Sequence, residues 1–104
     1  MSKILNIAAV IALLATGVVK AADAPVTEAD CASRAQMAYA AAYARDAGKT
    51  DRELARVVDD TMAPQYRATA KRILFMVFNN HSLTPSNAFN KEKSICKQEI
   101  WRSK

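Results

Sequence analysis

The stretch that decides the fold is residues 46–53, which read Asp-Ala-Gly-Lys-Thr-Asp-Arg-Glu. Gly48 is the only glycine after residue 17, and it stands where the end of a helix favours a left-handed residue. Two residues later, Thr50 and Glu53 have the spacing of a capping box, in which each side chain binds the other residue's backbone N–H group. The stretch therefore predicts that one helix ends near residue 47 and that a second begins at residue 51.

Similar signals divide the rest of the chain. Thr27 and Asp30 resemble a capping box, Pro64 suits the first turn of a helix, and Thr84 before Pro85 is typical of a helix start. No segment has the sustained alternation of a β-strand. We predict an all-α fold, a small four-helix bundle-like domain, with helices over about residues 28–47, 51–62, 64–80 and 85–102.

The first residues predict export. Lys3 is followed by an apolar run from Ile4 to Val19, and small residues lead to Ala21, which is the pattern of a secretory signal peptide. Sixteen helical residues rise only about 24 Å, less than a ~30 Å hydrocarbon core, which argues against an uncleaved membrane anchor. We predict a signal peptide over residues 1–21, a single domain over 22–104, and a periplasmic or secreted protein that is not an integral membrane protein.

Cys31 and Cys96 are the only two cysteines. In an oxidising compartment such a pair most simply forms one disulfide. The alternatives are a reactive thiol or a zinc site, but zinc needs three or four ligands and the chain adds only one histidine, His81. Both cysteines fall on apolar faces, in the first and fourth helices. We predict a Cys31–Cys96 disulfide, no metal and no cofactor.

The first and third helices differ in how their apolar residues are arranged. In the alanine-rich first helix, Ala35, Ala38 and Tyr39 share one face with Cys31, and we expect the tyrosine to supply buried area there. In the third, residues 73–78 read Ile-Leu-Phe-Met-Val-Phe, six apolar positions that point all round the axis. The pattern favours a central helix wrapped by the other three; the alternative is an exposed patch for a partner. In that case the partner-binding residues are Phe75, Met76 and Phe78.

Charge is unevenly distributed. The predicted mature part has 13 Lys and Arg against 10 Asp and Glu, a net charge of +3, yet residues 61–104 hold 8 basic and only 2 acidic side chains. This basic half could meet an acidic protein, an anionic membrane surface or a cell-wall polymer, but internal pairing with the acidic half is the simpler interpretation. No motif indicates nucleic-acid binding. The basic side chains of residues 61–104 are those of Arg67, Lys71, Arg72, Lys91, Lys93, Lys97, Arg102 and Lys104.

Glu92 and Glu99 are the two carboxylates of this half, about 10 Å apart along a helix. Such a pair could serve glycosidase chemistry, but nothing else indicates a sugar cleft. We expect both to form ion pairs with Arg34 and Arg45 of the first helix. His81 is expected to cap the third helix rather than to act in catalysis. The sequence shows no catalytic constellation, and an enzyme is not predicted.

The positions of the two cysteines and of the helix ends follow a pattern that can be compared with known proteins. The pattern consists of Cys31, Arg45-Asp46-Ala47-Gly48, Ile73-Leu74-x-x-Val77-Phe78, Thr84-Pro85 and Cys96. It resembles that of small exported two-cysteine helical proteins of proteobacteria, many of which have no assigned role. The chain also resembles, more weakly, the helical periplasmic immunity proteins that neutralise type VI secretion amidase effectors. That family implies a protein inhibitor that occludes an enzyme's active site, often as a dimer. Two-cysteine acid-stress chaperones are similar in size and compartment.

Together these features predict a non-catalytic exported domain that binds another protein, either an effector or envelope component or a second copy of itself. Its most specific form is an immunity-type inhibitor of a periplasmic effector. One alternative is a periplasmic stress or chaperone-like protein. The other is an envelope- or membrane-surface binder that uses the basic half of the chain.

Overall fold

The computed structural model describes residues 26–102, and all regular structure in that range is helical. The helices are α1 (Glu28–Asp46), α2 (Asp51–Thr61), α3 (Pro64–Phe78) and α4 (Pro85–Arg102). The predicted all-α class is confirmed. The predicted signal peptide, residues 1–21, lies outside the described residues. Between residues 26 and 102 no helix is both long enough and apolar enough to cross a membrane.

Capping boxes begin the first two helices, as the sequence predicts. The N–H group of Asp30 donates to the hydroxyl of Thr27 at 3.3 Å, and the N–H group of Glu53 donates to the hydroxyl of Thr50 at 3.1 Å. In both cases the acidic side chain also accepts the N–H group of the threonine. These caps satisfy donors that a helix start otherwise leaves unpaired.

Gly48 ends α1 in the predicted left-handed conformation, with φ at +94°. Its N–H group donates to the carbonyl of Arg45 at 3.0 Å, and the N–H group of Lys49 donates to the carbonyl of Ala44 at 2.9 Å. This pair of bonds is a Schellman motif, which needs a positive φ at the position of the glycine. The turn directs the chain straight into α2.

α1 is the central helix of the domain. It packs most extensively on α4 and then on α3, whereas α2 packs mainly on α3. Two expectations are therefore wrong: α3 is not the helix that the others wrap, and Tyr39 of α1 is 43% exposed instead of buried. Ten of the 19 residues of α1 are buried, most of them alanines. Because alanine is small, neighbouring helices can approach α1 closely from two sides.

One apolar core joins all four helices. Leu54 and Val58 of α2, Ile73 of α3 and Ala88 of α4 belong to the same buried cluster as the alanines of α1. At one edge, the buried side chains of Cys31 and Cys96 form the predicted disulfide, with an S–S distance of 2.04 Å. The bond ties the first turn of α1 to the second half of α4.

Candidate functional site

Phe75 is the apolar side chain of α3 that projects into solvent. It is 69% exposed, while Ile73 and Leu74 beside it are almost completely buried. Met76 and Phe78 are half-buried and pack against the core. The three predicted partner-binding residues therefore do not form one exposed patch, and only Phe75 offers most of its surface to a partner.

A shallow groove of about 360 Å³ lies between α2 and α3 beside Phe75. Ala55 and Leu74 give it apolar surface, and Asp51, Arg52 and Lys71 supply charges of both signs. Lys71 also forms an ion pair with Asp59 at 2.7 Å. The groove thus combines one large apolar side chain with a mixed polar rim, which is the general make-up of a protein-binding surface.

A second groove, of about 390 Å³, lies where the end of α1 meets the start of α4. Tyr39 and Tyr43 line it from α1, Asp46 adds a carboxylate, and Pro85 and Ser86 line it from α4. Both tyrosines are about 40% exposed. The sequence pattern predicted that Tyr39 is buried on the apolar face of α1, so this surface was not predicted.

Buried charges join α1 to α4 next to the disulfide. Glu92 is completely buried and accepts hydrogen bonds on one oxygen, from Arg34 Nε at 2.9 Å and from Arg72 Nη2 at 2.6 Å. Arg34 also binds Glu99 with both terminal nitrogens, at 2.7 and 3.3 Å. The predicted ion pairs of Arg34 are confirmed. Because Glu92 is inaccessible and Arg34 binds both carboxylates, the pair cannot receive a sugar as a glycosidase would.

The pKa directions in this cluster follow from these contacts. The hydrogen bond from Arg34 holds the pKa of Glu99 below its ordinary value, against the opposing effect of partial burial. Burial lowers the pKa of Arg34, but the hydrogen bond to Glu99 and the charge of Glu92 outweigh it and raise the pKa overall. Arg34 and Glu99 are therefore both charged at neutral pH. The other carboxylate oxygen of Glu92, Oε1, is buried and has no hydrogen-bond partner among the described residues.

Arg45 does not pair with Glu92 or Glu99, so that expectation is wrong. Its guanidinium donates to three carbonyls in and after the last turn of α3, those of Val77 at 2.9 Å, Asn80 at 3.1 Å and Leu83 at 2.7 Å. It also binds Asp46. Arg45 faces the α3–α4 connection because it lies eleven residues, about 16 Å of helix rise, beyond Arg34.

The end of α3 is also capped differently from the prediction. Its side-chain donors are Arg45 and Asn79, whose Nδ2 donates to the carbonyl of Phe75 at 2.8 Å. His81 is exposed and lies three residues beyond the end of the helix. Capping by arginine from α1 is a tertiary interaction, and the sequence near residue 80 carries no sign of it.

The basic half of the chain divides into two groups. Arg67, Lys71 and Arg72 bind inside the domain, respectively the carbonyl of Met62, Asp59 and Glu92. Of these three contacts only the ion pair of Lys71 with Asp59 joins the basic half to the acidic half, so the predicted pairing between the halves is confirmed for Lys71 alone. The other group lies on α4, and its members are exposed: Lys91, Lys93, Lys97 and Arg102. Lys104 lies outside the described residues.

In comparisons with known proteins, no family, no curated protein and no solved structure matches the chain. The resemblances stated above therefore remain predictions. Within residues 26–102 no three His, Cys, Asp or Glu side chains come together as ligands for a metal ion. The candidate sites thus depend on surface geometry and charge.

Proposed function

We propose that this protein is a non-catalytic domain that binds a protein partner on the surface between α2 and α3, with Phe75 as the anchor. The main observation that supports the proposal is the exposure of the Phe75 side chain. Full burial of a phenylalanine side chain is worth roughly 2–3 kcal/mol, and this stabilisation is largely unused at 69% exposure. Aromatic side chains that fill a pocket of the partner are common hot spots of protein interfaces.

The surroundings of Phe75 favour a protein over a lipid or a polyanion. Asp51, Arg52 and Lys71 surround the groove with both signs of charge, which suits the mixed polar rim of a protein partner. Ala55, which is partly exposed, adds a second apolar side chain to the lining of the groove. Met76 and Phe78 are half-buried against the core, so the anchor role is proposed for Phe75 alone.

The proposal is tested with a photo-reactive amino acid at position 75, in protein exported by living cells. The control carries the same group at Tyr39, an exposed aromatic position of α1. A protein cross-linked from position 75 and not from position 39 is then purified, and its affinity is measured for the wild type, Phe75→Asp and Tyr39→Asp. A single-species solution mass at twice that of the chain would identify the partner as a second copy.

We expect Phe75→Asp to weaken the purified complex about 30-fold or more, as for an interface hot spot, and Tyr39→Asp to leave it unchanged. Because Phe75 is exposed, the variant should keep the unfolding midpoint of the wild type. A folded Phe75→Asp variant that binds as tightly as the wild type would contradict the proposal. If the partner is an enzyme, loss of its inhibition with Phe75→Asp supports the immunity-type form.

A further inference from the structure

The exposed side of α4 carries charge of one sign only. Lys91, Lys93, Lys97 and Arg102 are all exposed, with Lys93 and Lys97 next to each other on the helix surface, whereas Glu92 and Glu99 bind Arg34 on the inner side. Four cations thus stand within twelve consecutive residues, and the one carboxylate of this helix that is partly exposed, that of Glu99, is paired with Arg34. The internal ion pairs neutralise the carboxylates, so they do little to reduce the positive potential outside.

Trp101 lies on the same side of the helix and is 79% exposed. It follows Lys93 and Lys97 at intervals of four residues, so the three side chains form a row about 12 Å long on the helix surface. The ammonium group of Lys93 lies 6.0 Å from the centre of the Phe89 ring. An exposed tryptophan beside lysines is the combination that the interfacial region of a bilayer accommodates, because the ring is amphipathic.

We propose that this side of α4 docks on a membrane surface of anionic phospholipids. The charge complementarity of Lys93 and Lys97 to phosphate headgroups supports it, as does the position of Trp101 beside them to enter the headgroup region. A face with one sign of charge suits a surface of uniform negative charge, unlike the mixed charges around Phe75. The inference concerns a different face from the proposed partner site and does not depend on it.

Contacts with α1 hold α4 in place as a formed helix, which favours docking through its outer side. The disulfide at Cys96 and the ion pairs of Glu92 and Glu99 hold α4 on α1 through its inner side. The outer side is therefore presented as a formed helix, and docking does not require a disordered segment to fold. With the helix axis along the surface, Lys93, Lys97 and Trp101 can contact the headgroups together.

The test uses protein recovered from the periplasm of cells that express the full chain, and the intrinsic fluorescence of Trp101. Since this is the only tryptophan in the chain, its emission reports on α4 alone. Binding is measured with vesicles of phosphatidylcholine and with vesicles that contain phosphatidylglycerol, at low and high salt. The variant Lys93→Gln/Lys97→Gln is compared with Arg52→Gln/Arg56→Gln, which removes the same charge from exposed positions of α2.

We expect binding to the anionic vesicles only, with a blue shift of Trp101 emission and loss of binding at high salt. Each cation near such a surface contributes about a fivefold gain in affinity, so the α4 double variant should bind roughly 25-fold more weakly. The α2 control and Phe75→Asp should bind like the wild type. Equal loss in both double variants, equal binding to neutral vesicles, or binding to soluble polyphosphate without binding to vesicles would overturn the proposal.

Discussion

The α1–α4 pair and the α2–α3 pair are held together by different interactions. A disulfide and the buried contacts of Arg34 with two glutamates join the first pair. The second pair has apolar packing and one ion pair, between Lys71 and Asp59, whose side chains are both about half exposed. Exposed ion pairs of this kind contribute little to stability, so α2 is held mainly by packing, together with the hydrogen bond from Arg67 to the carbonyl of Met62 at its end.

Because of this difference, the α1–α4 pair acts as the scaffold of the domain, and the α2–α3 pair supplies the proposed partner-binding surface. Only two of the 11 residues of α2 are buried, and the groove beside Phe75 lies on that side of the domain. The inner side of α4 is fixed to α1, which leaves its outer side free to carry charge. Substitutions on the α1–α4 side should therefore affect stability most, and those around Phe75 should affect binding most.

The largest effect is expected from the disulfide. Replacing Cys31 and Cys96 with serine opens a loop that spans a sequence separation of 65, and it should lower the free energy of unfolding by about 4 kcal/mol on the chain-entropy model. Urea unfolding of the oxidised protein and of the variant measures this. A loss below about 1 kcal/mol would show that the α1–α4 pair does not depend on its covalent link.

The buried ion pairs give the next effect. Arg34→Met leaves the buried Glu92 with only Arg72, and we expect a loss of about 3 kcal/mol in the same unfolding assay. The matched control is the double variant Arg34→Met/Glu92→Met, which removes the buried charge as well and should come within about 1 kcal/mol of the wild type. If the double variant is less stable than Arg34→Met, the cluster stabilises the domain in a way that simple charge burial does not explain.

The pH dependence of stability gives the smallest effect. Because the folded pKa of Glu99 lies below its ordinary value of 4.5, its contribution is present above that pH and is lost as the pH falls through the folded pKa. The side chain is 38% exposed, so solvent screening limits the contribution to about 0.5 kcal/mol. Glu99→Gln should be less stable than the wild type by this amount near pH 7 and equal to it near pH 2. A constant difference across that range would contradict the sign.

Local signals in the sequence predicted the helices and the disulfide well. Capping boxes such as Thr50 with Glu53, and the glycine at position 48, act within a few residues, so the sequence displays them directly. Cys31 and Cys96 had few alternatives as the only cysteines, and Arg34 was correctly paired because it faces α4 on the predicted geometry.

The arrangement of the helices was harder to predict. Periodicity shows that a helix has an apolar face, but not how many neighbours share it. The six apolar residues of α3 suggested a central helix, whereas the alanines of α1 permit the closest packing and place α1 at the centre. For the same reason the exposure of Phe75 and Tyr39, and the contact of Arg45 with the end of α3, depend on tertiary packing that the sequence does not display.

Native-state hydrogen exchange of the oxidised protein tests most directly whether the two pairs of helices differ as described. We expect the amides of α1 and α4 near Cys31 and Cys96 to exchange only when the whole domain unfolds. Those of α2 should exchange through local opening, at a free energy at least about 2 kcal/mol lower. Equal protection of α2 and α1 would contradict the division into a covalently fixed scaffold and a half held by packing.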